Sequence, residues 1–506
     1  MGSLAPAAAD GGVQHHYPDA SDPSLVLTHP TTAEMEQTWR LNHGEWGGAL
    51  DQAAYLGREA FLASTPLASD GGMVHWILTE PPCPGEGEGE GEDEGENANR
   101  KVLASCETIR KRVLYVPPNG HEVREGLNYG IGSVYTYPEF RGKKYAARML
   151  AELGAALRTR PGEEEKLRLE TLSPSVNGNG NGSGQQQPNG HGHGHGHEHR
   201  HGQAKDAEEA VCSALWSDIG KRFYASKGWP VFASDHVEFP CSTDDPTKKA
   251  PGLASLFERA SKHASLSLTP VNDGNIAQLC REDEAQLRRA LLRRARGSSR
   301  TTFAFAPTPD VMRWHWARED FIVSHVFPDR SVSEVKGMVA TVNTQTHTHT
   351  HTHTHTHDTN NTSTSGLEPR ARMWAVWTRT YSVDTASDAS KNTLYILRLV
   401  IEEDAEAEEK EDGGGGESTD RRQALQLAFD AIVQGALDAA RAWHCGSVHL
   451  WNPEPLVREL AAASGAPHRF VHRDVESIPS MMWYGPGNGD GPENVDWVAN
   501  EKYCWC

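Results

Sequence analysis

The sequence predicts an α/β protein made of two successive units, each with a mixed sheet and flanking helices. From residue 23 to 240, strand and helix patterns follow the order β-α-α-β-β-β-α-β-α-β once low-complexity stretches are removed. Residues 265–506 repeat this order more faintly. Within Gly132–Leu150 a strand, a basic turn and a helix start follow one another directly. A chain of 506 residues exceeds one hydrophobic core, so two domains are expected.

The elements of the first unit follow from hydrophobic spacing, caps and breakers. Thr31 or Thr32 is expected to cap the first helix, because threonine hydroxyls accept free N–H groups of a first turn. Gly228 is expected to end the last helix. The predicted elements are strand 25–27, the helix after Thr31 or Thr32, helix 51–62, strands 73–79, 102–116 and 129–136, helix 145–157, strand 214–216, helix 217–229, and a final strand pair at 231–232 and 236–239.

The second unit is predicted from weaker patterns of the same kind. Its predicted elements are strand 266–269, helical segments within 273–296, strands 337–343, 372–378 and 394–400, helix 419–442, strand 447–451, helix 455–462 and strand 469–473. We expect a degenerate copy of the first unit.

Low-complexity segments interrupt both units. An acidic Gly-Glu repeat and two tracts of alternating histidines, His191–His201 and His347–His357, cannot bury a core. No metal site is expected at the histidines, because no carboxylate or cysteine fixes a geometry around them. The second tract is expected in the hairpin that corresponds to that of the Gly-Glu repeat. The predicted organisation is a disordered N-terminus at 1–22, a first domain at 23–240 with insertions at 84–100 and 160–211, a linker at 241–264, and a second domain at 265–506 with insertions at 344–368 and 402–418.

The net charge of −20 is concentrated in two acidic runs. Glu86–Glu96 and Glu402–Asp412 each carry about seven net negative charges, so the remaining chain is only mildly acidic. Nucleic acid is not expected as a partner, because no basic stripe with interleaved aromatic residues occurs. No apolar run approaches membrane-spanning length, so no membrane partner is expected. The eight cysteines lack disulfide or metal-ligand spacing, which favours a reducing, cytoplasmic setting.

The basic turn within Gly132–Leu150 has the layout of a phosphate-binding loop. N–H groups at a helix N-terminus have no intrahelical partners, and the helix dipole favours an anion there. Arg141, Lys143 and Lys144 add full positive charges to this position. The turn therefore predicts a site for a phosphorylated ligand.

The strand, Pro138, Arg141-Gly142-Lys143-x-x-Ala146 and the helix behind them resemble the acetyl-CoA signature of the GCN5-related N-acetyltransferases (GNAT). The resemblance implies a GNAT fold and acetyl-CoA as cosubstrate, with the pyrophosphate on the loop and the oxyanion and pantetheine amides on the strand. No metal is implied. Lys144 departs from the family pattern, which usually has glycine there; a Cβ crowds the ligand if the backbone comes close or takes φ > 0. The cofactor-binding residues implied are Val134, Tyr135, Thr136, Arg141, Gly142, Lys143, Lys144, Tyr145 and Ala146.

The same resemblance suggests catalytic residues. Phe223-Tyr224-x-x-x-Gly228-Trp229 matches an aromatic-Tyr-x-x-x-Gly-aromatic pattern of the family, so Tyr224 is the candidate general acid for the departing thiolate. Glu107, on the strand before the signature, is the candidate base, and Glu238 is an alternative. Asp218 is expected to cap the helix of Tyr224 rather than to act in catalysis.

The second unit is expected to lack a cofactor site of its own. Where its strand 394–400 should turn into the following helix through a basic loop, it carries the acidic run Glu402–Asp412. Dense negative charge repels the phosphates of CoA. One cofactor site, in the first unit, is therefore predicted, with the second unit shaping the substrate side.

The arrangement of one active unit, the segment Leu215–Trp229 and a large second half resembles the fungal lysine N6-acetyltransferases. The resemblance implies acetylation of the ε-amine of free L-lysine in lysine degradation. Two segments, Trp314–Asp320 and Asp474–Tyr484, combine the carboxylates, cations and aromatic residues that a lysine pocket needs; for the first, a core helix with a charged outer face is the other interpretation. The alternatives are acetylation of protein or polyamine amines, and an inactive binding module.

Overall fold

The computed structural model describes residues 17–81, 100–158, 210–242, 264–347, 365–382, 389–403, 419–487, 489 and 491–505. Most of the predicted insertions, the N-terminal 16 residues and most of the predicted linker lie outside these ranges. So do both histidine tracts apart from His347.

Strands and helices alternate through the described ranges. The strands are β1 (Val26–Thr28), β2 (Met73–Thr79), β3 (Val102–Val116), β4 (Arg124–Thr136), β5 (Ala210–Ser217), β6 (Asp235–Pro240), β7 (Ala264–Val271), β8 (Thr301–Phe305), β9 (Gly337–His347), β10 (Ser365–Thr380), β11 (Thr393–Ile401), β12 (Ser447–Trp451), β13 (Arg469–His472), β14 (Ile478–Trp483) and β15 (Val495–Trp497). The helices are α1 (Thr32–Trp46), α2 (Gln52–Ala63), α3 (Tyr145–Arg158), α4 (Arg222–Ala225), α5 (Ile276–Ala295), α6 (Pro309–Val326), α7 (Thr419–Ala442) and α8 (Pro455–Ala463).

The strands form two mixed sheets, as an α/β fold of two units requires. The first sheet has the order β1-β2-β3-β4-β5-β14, and β8 joins it by pairing with β3 and β15. The second has the order β13-β6-β12-β11-β10-β9-β7. The hairpins β2–β3 and β9–β10 are both antiparallel. The Gly-Glu repeat and most of the His-Thr tract fall between these strands but lie outside the described residues, so their correspondence stays a prediction.

The two sheets exchange strands. β6 comes from the first half of the chain but pairs with β12 and β13 in the second sheet. β14 comes from the second half but pairs with β5 in the first. The prediction that 236–239 closes the first sheet is therefore wrong, because Val237 and Phe239 are buried in the core of the second sheet. The division into domains at 23–240 and 265–506 stays a prediction.

Local signals account for the helices that flank the first sheet. The Thr31 hydroxyl accepts from the N–H of Glu34, and the Glu34 carboxylate accepts from the N–H of Thr31, which confirms Thr31 as the cap of α1. The Asp51 carboxylate caps α2 through the N–H of Ala54. α3 is amphipathic, and its apolar side, which includes Met149 and Leu153, packs in the core of the first sheet.

The predicted helix 217–229 is largely wrong, since β5 continues to Ser217 and α4 is a single turn. Gly220 has φ +79, and its N–H donates to the carbonyl of Val475. The segment before α4 is thus bound to the chain that leads into β14. The Asp218 carboxylate accepts from the N–H of Ser477, so Asp218 is not the helix cap that was expected.

The second half contains three strands that the sequence patterns missed: β8, β14 and β15. It also contains α6, which one interpretation of Trp314–Asp320 predicted as a helix. α6 lies between the sheets: Trp316 shares one buried cluster with Val113 of β3 and Trp374 of β10. The two halves therefore have a common core. No helix among the described residues is both long and apolar enough to cross a membrane.

Candidate active site

Two parallel strands of the first sheet separate at the predicted signature. β4 and β5 pair from Leu127 with Ala210 to Gly130 with Ala214. Beyond this point β4 continues to Thr136 while still paired with β3, whereas β5 pairs along its other edge with β14. The edge of β4 that faces β5 is therefore available over the predicted residues Val134, Tyr135 and Thr136.

A bulge in β4 coincides with this separation. Glu107 of β3 lies opposite Gly132, but Ser105 lies opposite Tyr135, so β4 holds one extra residue between these pairs. Ser133, within the bulge, has φ +50. The bulge turns the Ser133 side chain toward β3, where its hydroxyl meets the carboxylate of Glu107.

A cavity of about 160 Å³ lies at the opening. Its walls come from α2, β3, β4, β5 and α4 of the first half and from α6 and the C-terminal tail of the second. Pockets for drug-sized ligands usually measure roughly 300–1,000 Å³, so this one suits a small molecule. The charged residues and the tyrosine that matter most for its chemistry are Arg58, Glu59, Glu107, Tyr224 and Arg318.

Glu107, the predicted base, lies in this cavity with its carboxylate largely shielded from water. Oε1 accepts a hydrogen bond of 2.8 Å from the Ser133 hydroxyl, and Oε2 lies 3.7 Å from Nδ1 of His75. Burial raises the pKa of Glu107 above its ordinary value, and the Ser133 hydroxyl and Arg58 oppose this shift only in part. Burial also lowers the pKa of His75 to about 4, so this imidazole is neutral near pH 7.

A second carboxylate in the cavity was not predicted. Glu59 pairs with its neighbour Arg58, whose Nε and Nη2 both donate to Oε1 at 2.9 and 2.5 Å. Within the described chain, the other oxygen of Glu59 has no hydrogen-bond partner. Burial raises the pKa of Glu59, and the nearby charge of Glu107 raises it further. A small amine entering the cavity thus meets two buried carboxylates.

Tyr224, the predicted acid, borders the same cavity. Its ring is buried and packs edge to face with Phe223, with 5.1 Å between the ring centroids. Its hydroxyl forms no hydrogen bond with any residue that the structure describes. Burial raises the pKa of Tyr224, so the phenol keeps its proton at neutral pH. Glu107 and Tyr224 are therefore brought together on one cavity, as a base and an acid must be.

The predicted phosphate loop leads from β4 into α3. Arg141, Gly142, Lys143 and Lys144 are all exposed. Gly142 has φ +79, and nothing lies within 4 Å of a Cβ placed there, so the loop is open to a ligand. Lys144 has φ +69, the left-handed conformation that glycine adopts most easily. The lysine therefore keeps the backbone shape that the signature glycine provides.

Side chains of the loop are only weakly held. Arg141 donates to Glu45 at 3.2 Å, to the carbonyl of Thr136 at 3.2 Å and to the Tyr135 hydroxyl at 3.3 Å. Exposed pairs of this kind contribute little to stability, so an incoming phosphate can replace them. Tyr145 is different, because its hydroxyl donates to the carbonyl of Pro18 at 2.6 Å and its ring is buried. Tyr145 serves the fold at this position.

The second half supplies three residues to the cavity: Trp314 and Arg318 of α6, and Trp505 near the C-terminus. Trp314 and Arg318 are four residues apart and share a helix face. This spacing is visible in the sequence, but nothing local indicates that the helix face lines a cavity of the first half. The interpretation of Trp314–Asp320 as part of a core helix is confirmed, since α6 buries residues in the core. The interpretation as part of a lysine pocket stays a prediction.

A protein-family model described as the LYC1 GNAT-like C-terminal domain matches residues 254–506, half of the chain. The chain belongs to this LYC1 GNAT-like family. The second half is accordingly GNAT-like, and together with the two mixed sheets this confirms the predicted fold class. The match covers the second half, so it adds nothing to the roles of individual residues in the first.

Among curated proteins there is no match. Solved structures resemble this member of the LYC1 GNAT-like family over most of its length, at low similarity. A probable N-acyltransferase of unknown function from Enterococcus faecalis V583 has 10% identity and a TM-score of 0.40, over 91% of this chain and 72% of the other. A tandem GNAT protein from the clavulanic acid biosynthesis pathway has 9% identity and a TM-score of 0.37, over 92% and 99%. N-myristoyltransferase of Saccharomyces cerevisiae with bound myristoyl-CoA has 9% identity and a TM-score of 0.39, over 95% and 84%.

The GNAT-like second unit repeats the strand separation. β11 and β12 pair in parallel only as far as Ile396 and Leu450, and a cleft of about 710 Å³ lies beyond them. This cleft is larger than the cavity of the first unit. However, the residues that directly follow β11 are acidic. Glu402 pairs with Arg372, and Glu403 pairs with Arg293. Residues 404–418 lie outside the described residues, so a single cofactor site stays a prediction.

Two other sequence candidates lie elsewhere. Glu238, the alternative base, belongs to β6 in the second sheet, where its two oxygens accept from Arg469 at 2.9 Å each. It is therefore not a wall of the cavity that holds Tyr224. In the segment Asp474–Tyr484, Asp474 pairs with Lys221 at 2.6 Å, and the rest is mainly β14. This segment supports β5 from its far edge and does not line the cavity.

Proposed function

We propose that this chain is an acetyl-CoA-dependent N-acetyltransferase that modifies the ε-amine of free L-lysine. One observation carries the proposal: the buried carboxylate of Glu107 lies at the opening between β4 and β5, in a small cavity that is also lined by Tyr224. The role in lysine degradation and the cytoplasmic location belong to the same proposal.

The loop between β4 and α3 fits the phosphates of the cosubstrate. Its glycine is open to solvent, its backbone is left-handed at Gly142 and Lys144, and its three cations are exposed. Acetyl-CoA supplies the acetyl thioester. We assign Arg141, Lys143 and the N–H groups of Tyr145 and Ala146 to its phosphates, and the free edge of β4 at Val134–Thr136 to its amides and to the negative charge that develops on the carbonyl oxygen.

Glu107 is assigned as the base. An amine attacks a thioester only when it is neutral, and at neutral pH an alkyl ammonium must first lose a proton. A carboxylate whose pKa is raised by burial accepts that proton more readily than an exposed one, since its pKa lies closer to the operating pH. The hydrogen bond from Ser133 fixes the carboxylate while leaving Oε2 for the substrate.

Tyr224 is assigned as the acid. Tyr224 lines the cavity, and its hydroxyl is protonated and has no competing partner within the described chain. It can therefore give its proton to the departing thiolate. Glu107 thus accepts the proton from the ammonium group of the substrate, and Tyr224 donates the proton that the thiolate needs.

The size of the cavity favours a free amino acid over a protein. Helix α6 and the C-terminal tail both contribute to its walls, so a lysine within a protein chain would have to enter past the second half. Polyamines are small enough to enter, but they carry only positive charges, whereas the cavity has charges of both signs. Its two arginines and two glutamates suit a zwitterion.

An amine panel tests the proposal. The full-length protein is incubated with acetyl-CoA and, separately, with L-lysine, spermidine and a lysine-containing peptide, and products are identified by mass spectrometry. We expect N6-acetyllysine as the main product, and its absence refutes the choice of free lysine. Calorimetry tests the inactive-module alternative: saturable acetyl-CoA binding that is lost in Arg141→Ala, but kept in the exposed control Arg40→Ala, excludes a module that takes up no cofactor.

A further inference from the structure

Arg318 lines the cavity and has no anionic partner among the described residues. It is mostly shielded from solvent, yet among the residues that the structure describes no acceptor lies within hydrogen-bond or ion-pair distance of its guanidinium. The contact that it does make is with the Trp505 ring, 5.7 Å from its Cζ. Buried guanidinium groups are normally paired, because their N–H groups otherwise lose their hydrogen bonds to water. Arg318 is therefore ready to receive an anionic group.

The neighbouring charges point to a ligand rather than to an internal partner. Glu59 is close, but its Oε1 is occupied by Arg58, and it does not come within ion-pair distance of Arg318. Burial, with the like charge of Arg58 nearby, lowers the pKa of Arg318 to about 10, so it remains charged at neutral pH. An anion that enters the cavity meets this arginine with all its donors free.

Arg318 is held in position from two sides. The next residue on α6, Glu319, is buried between Arg379 of β10, at 2.5 Å, and Lys336, at 2.9 Å. On the other side, the tail that carries Trp505 is fixed to β3, since Lys111 donates to the carbonyl of Trp505 at 2.8 Å. A guanidinium that two rigid elements hold in place is suited to binding one kind of ligand group selectively.

The strand that anchors this tail also carries the proposed base. Glu107 and Lys111 are four residues apart on β3, so they lie on the same face of the strand. The position of Arg318 relative to Glu107 is therefore set by one strand, one helix and the bonded tail. A substrate with an amine at one end and a carboxylate at the other fits such a pair of fixed groups.

We propose that Arg318 binds the carboxylate of a free amino-acid substrate, so that the second half of the chain selects amino acids over amines without a carboxylate. This rests on the proposed acetylation of free lysine. It assigns a specificity function to the GNAT-like second unit, which reaches into the site of the first through α6 and the C-terminal tail.

The test compares three amines in the full-length enzyme: L-lysine, 6-aminohexanoate, which lacks the α-amine, and 1,5-diaminopentane, which lacks the carboxylate. In Arg318→Met we expect kcat/KM for the two carboxylates to fall about 10- to 100-fold, and kcat/KM for the diamine to stay within about twofold. Arg318→Lys should recover part of the loss. Arg313→Met is the matched control, because Arg313 is on the same helix but pairs with Asp273 at the surface, 2.7 Å away.

Binding measurements separate this inference from the proposed activity. Calorimetry of L-lysine with wild type and Arg318→Met is expected to show the same loss of affinity, with the affinity for acetyl-CoA unchanged. If wild type binds lysine through Arg318 but acetylates no amine, the proposed activity fails and the carboxylate site stands. The inference is overturned if wild type uses the diamine as well as lysine, if lysine does not bind, if Arg318→Met weakens acetyl-CoA binding, or if all three amines lose activity equally in a variant that melts at the wild-type temperature.

Discussion

Replacing Glu107 by glutamine is the most direct test of the proposed mechanism. Glutamine has nearly the same size, and its Oε1 can still accept from the Ser133 hydroxyl, so the hydrogen bond of 2.8 Å is kept. What is lost is the ability to take a proton from the substrate. Removal of a general base usually lowers the rate about 10²- to 10⁴-fold, which corresponds to about 2.7–5.4 kcal/mol in the activation free energy. We expect kcat/KM of Glu107→Gln to fall within this range at pH 8.

The same substitution is expected to stabilise the fold at that pH. The pKa of Glu107 in the folded chain is raised by burial, so the folded state holds this proton more tightly than the unfolded state. The stability linked to such a group is fully present below its unfolded pKa and is lost as the pH rises through its folded pKa. Glutamine carries no charge and shows no such loss. The variant should therefore be at least as stable as wild type at pH 8, and any advantage should shrink toward pH 4.

Steady-state kinetics and urea denaturation, each over a range of pH, measure both effects. In wild type, kcat/KM should rise with pH along a limb centred above the ordinary range of a glutamate, and this limb should be absent in Glu107→Gln. A variant that keeps kcat/KM within threefold of wild type would show that Glu107 is not the base. A variant that loses activity together with stability at pH 8 would show that the carboxylate has a structural role instead.

Three further substitutions test other parts of the site. Lys144→Gly relieves a left-handed backbone at φ +69, so we expect a gain of about 0.5–1 kcal/mol in the free energy of unfolding and unchanged or tighter acetyl-CoA binding by calorimetry; a severe loss of binding would mean that the loop works differently from the signature. Tyr224→Phe should lower kcat about 10²-fold and leave the affinity for acetyl-CoA unchanged, and an unchanged kcat would remove Tyr224 as the acid. Glu319→Ala leaves Arg379 buried without its carboxylate partner, while Lys336 keeps its pair with Asp320, and should cost about 3–5 kcal/mol in the free energy of unfolding measured with urea at pH 7. Burial alone raises the pKa of Glu319, but the two cations reverse this and lower it, so its contribution is present above the ordinary glutamate pKa and is lost as the pH falls through the lowered one.

Local patterns in the sequence predicted most elements of the two sheets. The signature region was the most reliable part, because β4, the loop and α3 form a continuous segment whose alternation, glycine and amphipathic helix all act locally. Glu107 and Tyr224 line one cavity. Their catalytic roles stay predictions, since a shared cavity does not by itself demonstrate chemistry.

What the sequence could not predict depends on pairing between distant segments. The buried pattern of β6 indicates a strand, but it does not say which sheet the strand joins, because Val237 and Phe239 fit either core. The six residues of β14 are all buried, as in a strand covered on both faces, yet their partner β5 lies more than 250 residues earlier. The helix expected at 217–229 had a suitable end at Gly228, but the hydrogen bond from the Gly220 N–H to the Val475 carbonyl holds part of the segment in another conformation.

The strand exchange changes how the two halves relate to the site. β14 covers the edge of β5 next to the opening, while α6 and Trp505 supply walls of the cavity at that opening. In return, the first half gives β6 to the second sheet, and β3 holds the C-terminal tail through Lys111. Glu402 and Glu403 follow β11 in the second half and pair with arginines, whereas Trp314, Arg318 and Trp505 of the same half line the cavity of the first. The cavity that holds Glu107 is therefore built from both halves of the chain, and it is incomplete without α6 and the C-terminal tail.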